Sequence, residues 1–252
     1  MRVSLITGGG TGIGRAIALS LAGPDTLVVV TGRTPKTLEA AAAEIRTHGG
    51  QALAIPMDVS DAGSVEHAMG VVRERVPALD VLVNNAGVGG GERVEGSDVA
   101  RWRQTIDTNL VGMYLVTRQA LPMLQDGGRI INLSSVLGRF GVPGYTAYCA
   151  SKHGVIGFTR ALALELAPQR VTVNAICPGW VDTEMAAEGM RQGAAENGWT
   201  FEHFRERALD HVPLKRIIQP EEVATLVAFL ASPAAGAITG QTYNIDGGQT
   251  MD

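Results

Sequence analysis

The chain has 252 residues, of which 45% are hydrophobic, 18% charged and 5% aromatic, and its net charge of −4 comes with no run of Lys or Arg. That balance argues against nucleic acid as a standing partner, and Cys149 and Cys177 lack the number and spacing of a disulfide scaffold or a metal site. No apolar run approaches the roughly 18 residues that span a bilayer and no secretory leader pattern opens the chain, so a soluble, cytoplasmic protein without membrane contact is expected.

Short apolar runs alternate with segments of helical period from one end to the other. The strand candidates are Val3–Thr7, Leu27–Thr31, Ala52–Met57, Val81–Val83, Ile130–Leu133, Val171–Ala175 and Thr242–Ile245. Several are apolar on both faces, as parallel strands covered on both sides are. Between them lie helix candidates at Gly12–Leu21, Pro35–Thr47, Gly63–Val76, Trp102–Leu124, Tyr148–Leu166 and Pro220–Leu230. Thr34 before Pro35 reads as a capping residue with proline at the first helical position. Strict alternation predicts an α/β fold: a Rossmann-type doubly wound parallel sheet of about seven strands, helices on both faces, in one domain over residues 1–252. The stretch 182–215 shows helical patches and no strand.

The first strand runs into Thr7-Gly8-Gly9-Gly10-Thr11-Gly12-Ile13-Gly14 and then a helix. Glycines 8, 12 and 14 allow a tight turn, and the amides from Thr11 through Gly14 at a helix N-terminus suit a pyrophosphate. This context predicts dinucleotide binding. An NAD enzyme places a carboxylate at the end of the second strand; here Gly32 stands there, followed by Arg33 and Thr34. Nothing repels a 2′-phosphate and Arg33 can fork onto one, so NADP(H) is favoured and NAD(H) is the second choice.

Tyr148 and Lys152 are four apart, one turn along one helix face. A free phenol titrates near 10, and an ammonium beside it is expected to bring that value toward neutrality. Tyr148 is then the acid or base for a carbonyl or alcohol oxygen. Tyr145 has Cys149, not lysine, four residues on. Ser135, just past a strand end, is placed to hydrogen-bond the same oxygen, with Ser134 as its neighbour and competitor.

The glycine turn, Asp58-Val59, Asn84-Asn85-Ala86-Gly87, Asn109, Ser135, Tyr148-x-x-x-Lys152 and Pro178-Gly179 with Thr183 together resemble the short-chain dehydrogenase/reductase family along essentially the whole chain. The resemblance implies that Asp58 and Val59 hold the adenine and that Asn85, Ala86 and Gly87 carry the cofactor sugar. It assigns Pro178, Gly179, Val181 and Thr183 to the nicotinamide end, and the ribose hydroxyls to Lys152. It also implies that Asn109 kinks its helix and relays protons through a water to Lys152, that 182–215 is a substrate lid, and that the protein is a homotetramer.

Trp180, Trp199, Phe201 and Phe204 are four of the chain's eight Trp and Phe residues. With Met185 and Met190 they suggest a partly apolar small-molecule carbonyl or alcohol, unless they anchor the lid itself. A carrier- or CoA-linked 3-oxoacyl substrate is the alternative. The acid in Gln125-Asp126-Gly127-Gly128 disfavours an acidic carrier protein, with Arg129 and Arg170 in partial compensation. A cofactor-binding regulator without turnover is a more distant reading, as is an epimerase, which needs a larger C-terminal domain. No metal site is expected. Helices 102–124 and 148–166 carry apolar residues on more than one face, a reason to expect association.

Overall fold

The computed structural model describes residues 1–251, and among these a strand is followed by a helix from the first residues onward. β1 (Arg2–Thr7), β2 (Thr26–Gly32) and β3 (Gln51–Pro56) are separated by α1 (Gly12–Ser20) and α2 (Pro35–Thr47). Then come α3 (Ala62–Arg75), β4 (Leu79–Asn84), α4 (Val99–Ile106), α5 (Gly112–Ala120) and β5 (Leu124–Leu133). The remainder is α6 (Thr146–Leu166), β6 (Thr172–Pro178), α7 (Glu184–Asn197), α8 (Phe201–Asp210), α9 (Pro220–Ala231) and β7 (Thr242–Ile245). All strand pairs are parallel, in the order β3-β2-β1-β4-β5-β6-β7.

One face of the sheet is covered by α1, α2 and α9, whose Ile17, Leu38 and Val227 share a core with Val28 and Val81. The other carries α3, α5 and α6, with Met69, Val116 and Leu162 packed on Leu5, Leu82 and Ile130. The order reverses between β1 and β4, so the loops leaving their C-terminal ends diverge and open a crevice.

The single helix expected over 102–124 is instead two. Asp98 caps α4 at the Ala100 amide, so the helix starts earlier. Asp107–Val111 is a π-helical turn between α4 and α5, and Pro122, which has no N–H to continue the ladder, falls in a 3₁₀ turn after which Leu124 opens β5. Thr34 occupies the capping position of α2, yet its side chain caps nothing.

The apolar surplus expected on the middle helices is mostly used inside the protomer. Met113, Val116, Val155, Ile156 and Leu162 are buried, because α5 and α6 pack on the sheet and on neighbouring helices as well. Val111, Tyr114 and Leu164 stay exposed, Leu164 at 79%. No helix among the described residues is long and apolar enough to cross a membrane.

Candidate active site

The crevice measures about 380 Å³, within the range of small-molecule sites. Its floor is the glycine turn. Gly8 and Gly12 have φ of 64° and 50°, a region that side chains with a Cβ rarely enter. Gly14 lies so close beneath that a Cβ there would collide with the Gly8 carbonyl and the Asn85 amide. Thr7 Oγ1 accepts from the Asn85 and Ala86 N–H groups at 3.0 and 2.9 Å, and Asn85 Nδ2 donates to the Thr7 carbonyl at 2.9 Å. Asn85 thus braces the turn from behind while Ala86 and Gly87 continue along the wall.

Thr11 and Thr34 stand at the capping positions of α1 and α2, both line the cleft, and neither hydroxyl caps its helix. Two helix N-termini with uncommitted hydroxyls suit a ligand carrying anionic groups at two places. Ile13, Val59, Pro178 and Thr183 line the same space. Arg33 is exposed at its rim. Burial pushes the Asp58 carboxyl up, but the Ser60 hydroxyl and N–H and then the Arg33 charge outweigh it, and the group sits below its ordinary value.

Gly179 and Val181 do not line the cleft. Val181 is buried in the core. Its bridge to Ile218 runs through the Asp182 N–H and the Trp180 carbonyl, which leaves Val181's own N–H out of that pairing.

Across the cleft, β5 and α6 carry the chemistry. The hydroxyls of Ser135 and Tyr148 are hydrogen-bonded. Lys152 Nζ donates to the Leu133 carbonyl at 2.8 Å and lies 5.6 Å from the Tyr148 ring centroid. Ser134, the competitor of Ser135, lines the cleft but donates its proton to the Lys152 carbonyl at 2.8 Å.

Asn109 is the buried centre of the π-turn. Its amide is fully engaged, accepting from the Val88 N–H at 2.8 Å and donating to the Val88 carbonyl at 3.0 Å and Ser151 Oγ at 3.2 Å. Ser151 in turn donates to the Tyr148 carbonyl at 2.8 Å.

The electrostatics differ from the sequence expectation. Burial pushes the Tyr148 phenol up to about 12, with the Ser135 hydrogen bond pulling it back only in part. Burial also lowers Lys152 to about 8. Desolvation therefore dominates the phenol, and the lysine does not bring it toward neutrality here. Tyr148 is a neutral O–H near pH 7, the form that donates a proton.

The segment after Thr183 roofs the site. Met185 lines the cleft and lies against Gly89. Gln192 Nε2 donates to the Gly91 carbonyl at 2.6 Å, a tie that no local pattern signals because its partner is 101 residues away. Most of the aromatics of this stretch anchor its own helices: Phe204 packs on Gly193, Trp199 on His203 and Phe204, and Trp180 on Gly189. Arg129 is buried and donates to the Gly127 and Gly128 carbonyls, and Arg170 pairs with Asp126. Neither offers the free basic charge expected of it.

A glycine turn at the switch point of a parallel sheet, facing a tyrosine and a lysine across one cleft, with Ser135 hydrogen-bonded to that tyrosine but not itself lining the cleft, defines an oxidoreductase of the short-chain dehydrogenase/reductase class. A family model described as enoyl-(acyl carrier protein) reductase matches residues 8–250, and the chain belongs to that family. It is 41% identical to a 3-oxoacyl-[acyl-carrier-protein] reductase of Synechocystis sp., over 99% of this chain and 97% of the relative. It is 42% identical to a putative ketoacyl reductase of Streptomyces coelicolor, over 98% and 96%. Among solved structures it is similar to a single-substitution variant of the actinorhodin polyketide ketoreductase with NADPH, at a TM-score of 0.94 and 41% identity, covering 98% of this chain and 97% of that one.

Proposed function

We propose that the protein is an NADPH-dependent reductase that converts a small, partly apolar ketone to an alcohol. The observation that carries this reading is the Tyr148 side chain lining the cleft beside Lys152 and hydrogen-bonded to Ser135. NADPH, when bound, supplies the hydride to the carbonyl carbon. Tyr148 gives its proton to the carbonyl oxygen, and the Ser135 hydroxyl orients that oxygen and stabilises the charge that develops on it. Lys152 keeps a positive charge beside the phenol as the proton leaves. Asn109, tied to Val88 and through Ser151 to the Tyr148 carbonyl, positions α6.

The glycine turn and the Thr11 and Thr34 hydroxyls would hold the pyrophosphate and 2′-phosphate ends, Arg33 pairing with the latter. NADPH in the ketoreductase structure supports that preference. A cell compartment supplying NADPH, the cytoplasm, fits this reading.

Residues 182–215 act as the substrate lid within a single catalytic domain, α7 being tied to the Gly89–Gly91 loop through Gln192. The relatives' names favour 3-oxoacyl thioesters as a second reading of the substrate. The neutralised Arg170 and buried Arg129 favour a free or CoA-linked compound over an acidic carrier. Val111, Tyr114, Leu164 and, on α9, Phe229 are exposed, and apolar side chains left on more than one helix suit burial between copies in a homotetramer.

The test is a panel of ketones, alcohols, acetoacetyl-CoA and a 2-enoyl-CoA with NADPH and NADH, followed at the nicotinamide absorbance. Ketone reduction faster with NADPH is expected. Binding of NADPH without turnover of any carbonyl would overturn the reading.

A further inference from the structure

Four consecutive residues, the last two of β5 and the two just past it, each hold α6. Asn132 Nδ2 donates to Thr159 Oγ1 at 2.9 Å, and the Leu133 carbonyl accepts from Lys152 Nζ. Ser134 Oγ donates to the Lys152 carbonyl, and Ser135 bonds the Tyr148 hydroxyl. The last strand residue and the one just past it therefore grip one lysine at both ends, Leu133 at the ammonium and Ser134 at the backbone.

We propose that Ser134 is the positioning residue for Lys152, its hydroxyl setting the depth of the helical turn that carries the lysine at the cleft. This rests on the reading of Lys152 given above. Lysine is long and its rotamer freedom is costly to restrain. Placing its Cα correctly removes part of that burden, since an error near 1 Å can cost roughly 100-fold in rate.

The surroundings of Ser134 keep the contact from slackening. Cys177 is fully buried and hydrogen-bonded to Ser134. Burial pushes its thiol up, and the serine proton points at the Lys152 carbonyl. On the other side runs the backbone of Gly138. A Cβ there would lie 2.5 Å from Ser134 Oγ and 2.8 Å from the Lys152 carbonyl. Strand end, turn and helix thus meet around one hydroxyl. Although Ser134 lines the cleft, its single proton is committed to the backbone, which separates its role from that of Ser135.

The test is a double-mutant cycle of Ser134→Ala and Lys152→Ala, with acetoacetyl-CoA turnover and the NADPH Kd from nicotinamide fluorescence as readouts. Ser134→Ala is expected to lower kcat about tenfold with the acetoacetyl-CoA KM within about twofold. Added to Lys152→Ala, it should change kcat and the NADPH Kd by less than about twofold, because the group it acts through is gone. Ser134→Cys keeps a weak donor of similar size and should recover most of the loss. It also carries the test if the alanine variant does not fold.

Cys177→Ala leaves the Ser134–Lys152 bond in place and should stay within about threefold of the parent kcat. Multiplicative losses in the cycle, a change confined to the substrate KM, or parental kcat in Ser134→Ala would overturn the proposal. If the parent enzyme turns over no ketone, the proposed function fails instead, and the cycle is decided on the NADPH Kd alone.

Discussion

The Lys152 ammonium donates to the backbone carbonyl of Leu133 at 2.8 Å and stands 5.6 Å from the centre of the Tyr148 ring. A strand carbonyl thus holds the charge beside the phenol. Lys152 is lowered to about 8 by burial and Tyr148 raised to about 12, so the lysine is the first of the two to change state as pH rises. Below about 8 the ammonium is present and the phenol keeps its proton. The kcat for ketone reduction is therefore expected to be flat near neutrality and to fall as pH rises through about 8. Lys152→Ala should lose that limb. A pH profile of each enzyme checks this, and an alkaline limb that survives in the variant would assign the titration to another group.

Removing the phenol oxygen tests the proton donor. Tyr148→Phe should cost roughly 100-fold or more in kcat with NADPH binding retained. Tyr145, whose ring meets Tyr148 edge-on at 6.5 Å, supplies no proton, and Tyr145→Phe should act within about threefold. Comparable rates for Tyr148→Phe and the parent would sink the assignment.

Arg33 is exposed at the rim and close enough to Asp58 to influence its charge. Arg33→Ala should weaken NADPH roughly ten- to a hundredfold, the worth of one charge-assisted contact, and NADH far less. Titration with both cofactors decides it. Equal losses would show that Arg33 does not read the 2′-phosphate. Gly32→Asp should move the preference towards NADH.

Two glycines of the same type should respond in opposite directions. Gly14→Ala drives a methyl into the Gly8 carbonyl and the Asn85 amide, and overpacking of this kind costs about 1–3 kcal/mol. Gly70, in the interior of α3, has nothing within 4 Å of its missing Cβ, so Gly70→Ala should stabilise by about 0.5–1 kcal/mol. Thermal unfolding measures both. A Tm for Gly14→Ala at or above the parent would contradict the packing described for the turn.

Val111, Tyr114 and Leu164 form the apolar remainder of the α5–α6 side, and Phe229 that of α9. Light scattering is expected to give a tetramer, four times the 26.4 kDa chain. Leu164→Glu should reduce it to a smaller species by burying a charge in an apolar contact. An active monomer at micromolar concentration would remove the assembly.

What could be read from the sequence is what depends on near neighbours along the chain. The alternation of strands and helices, the glycine turn between β1 and α1, and the one-turn spacing of Tyr148 and Lys152 are local periodicities that backbone geometry imposes. The rest depends on what stands opposite each residue, and only chain closure decides that. Closure buries Val155 and Ile156 within the protomer, where helical period alone left them surplus. It opens a π-turn around Asn109, whose amide is drawn to Val88 on the loop after β4. It also bonds Gln192 to Gly91 across 101 residues and presses β5 against α6, so that Ser134 is spent on the Lys152 carbonyl while Ser135 meets the phenol. The same burial reverses the expected effect on Tyr148: spacing brings a lysine near the phenol, but loss of water raises the cost of the phenolate by more than the Ser135 hydrogen bond recovers.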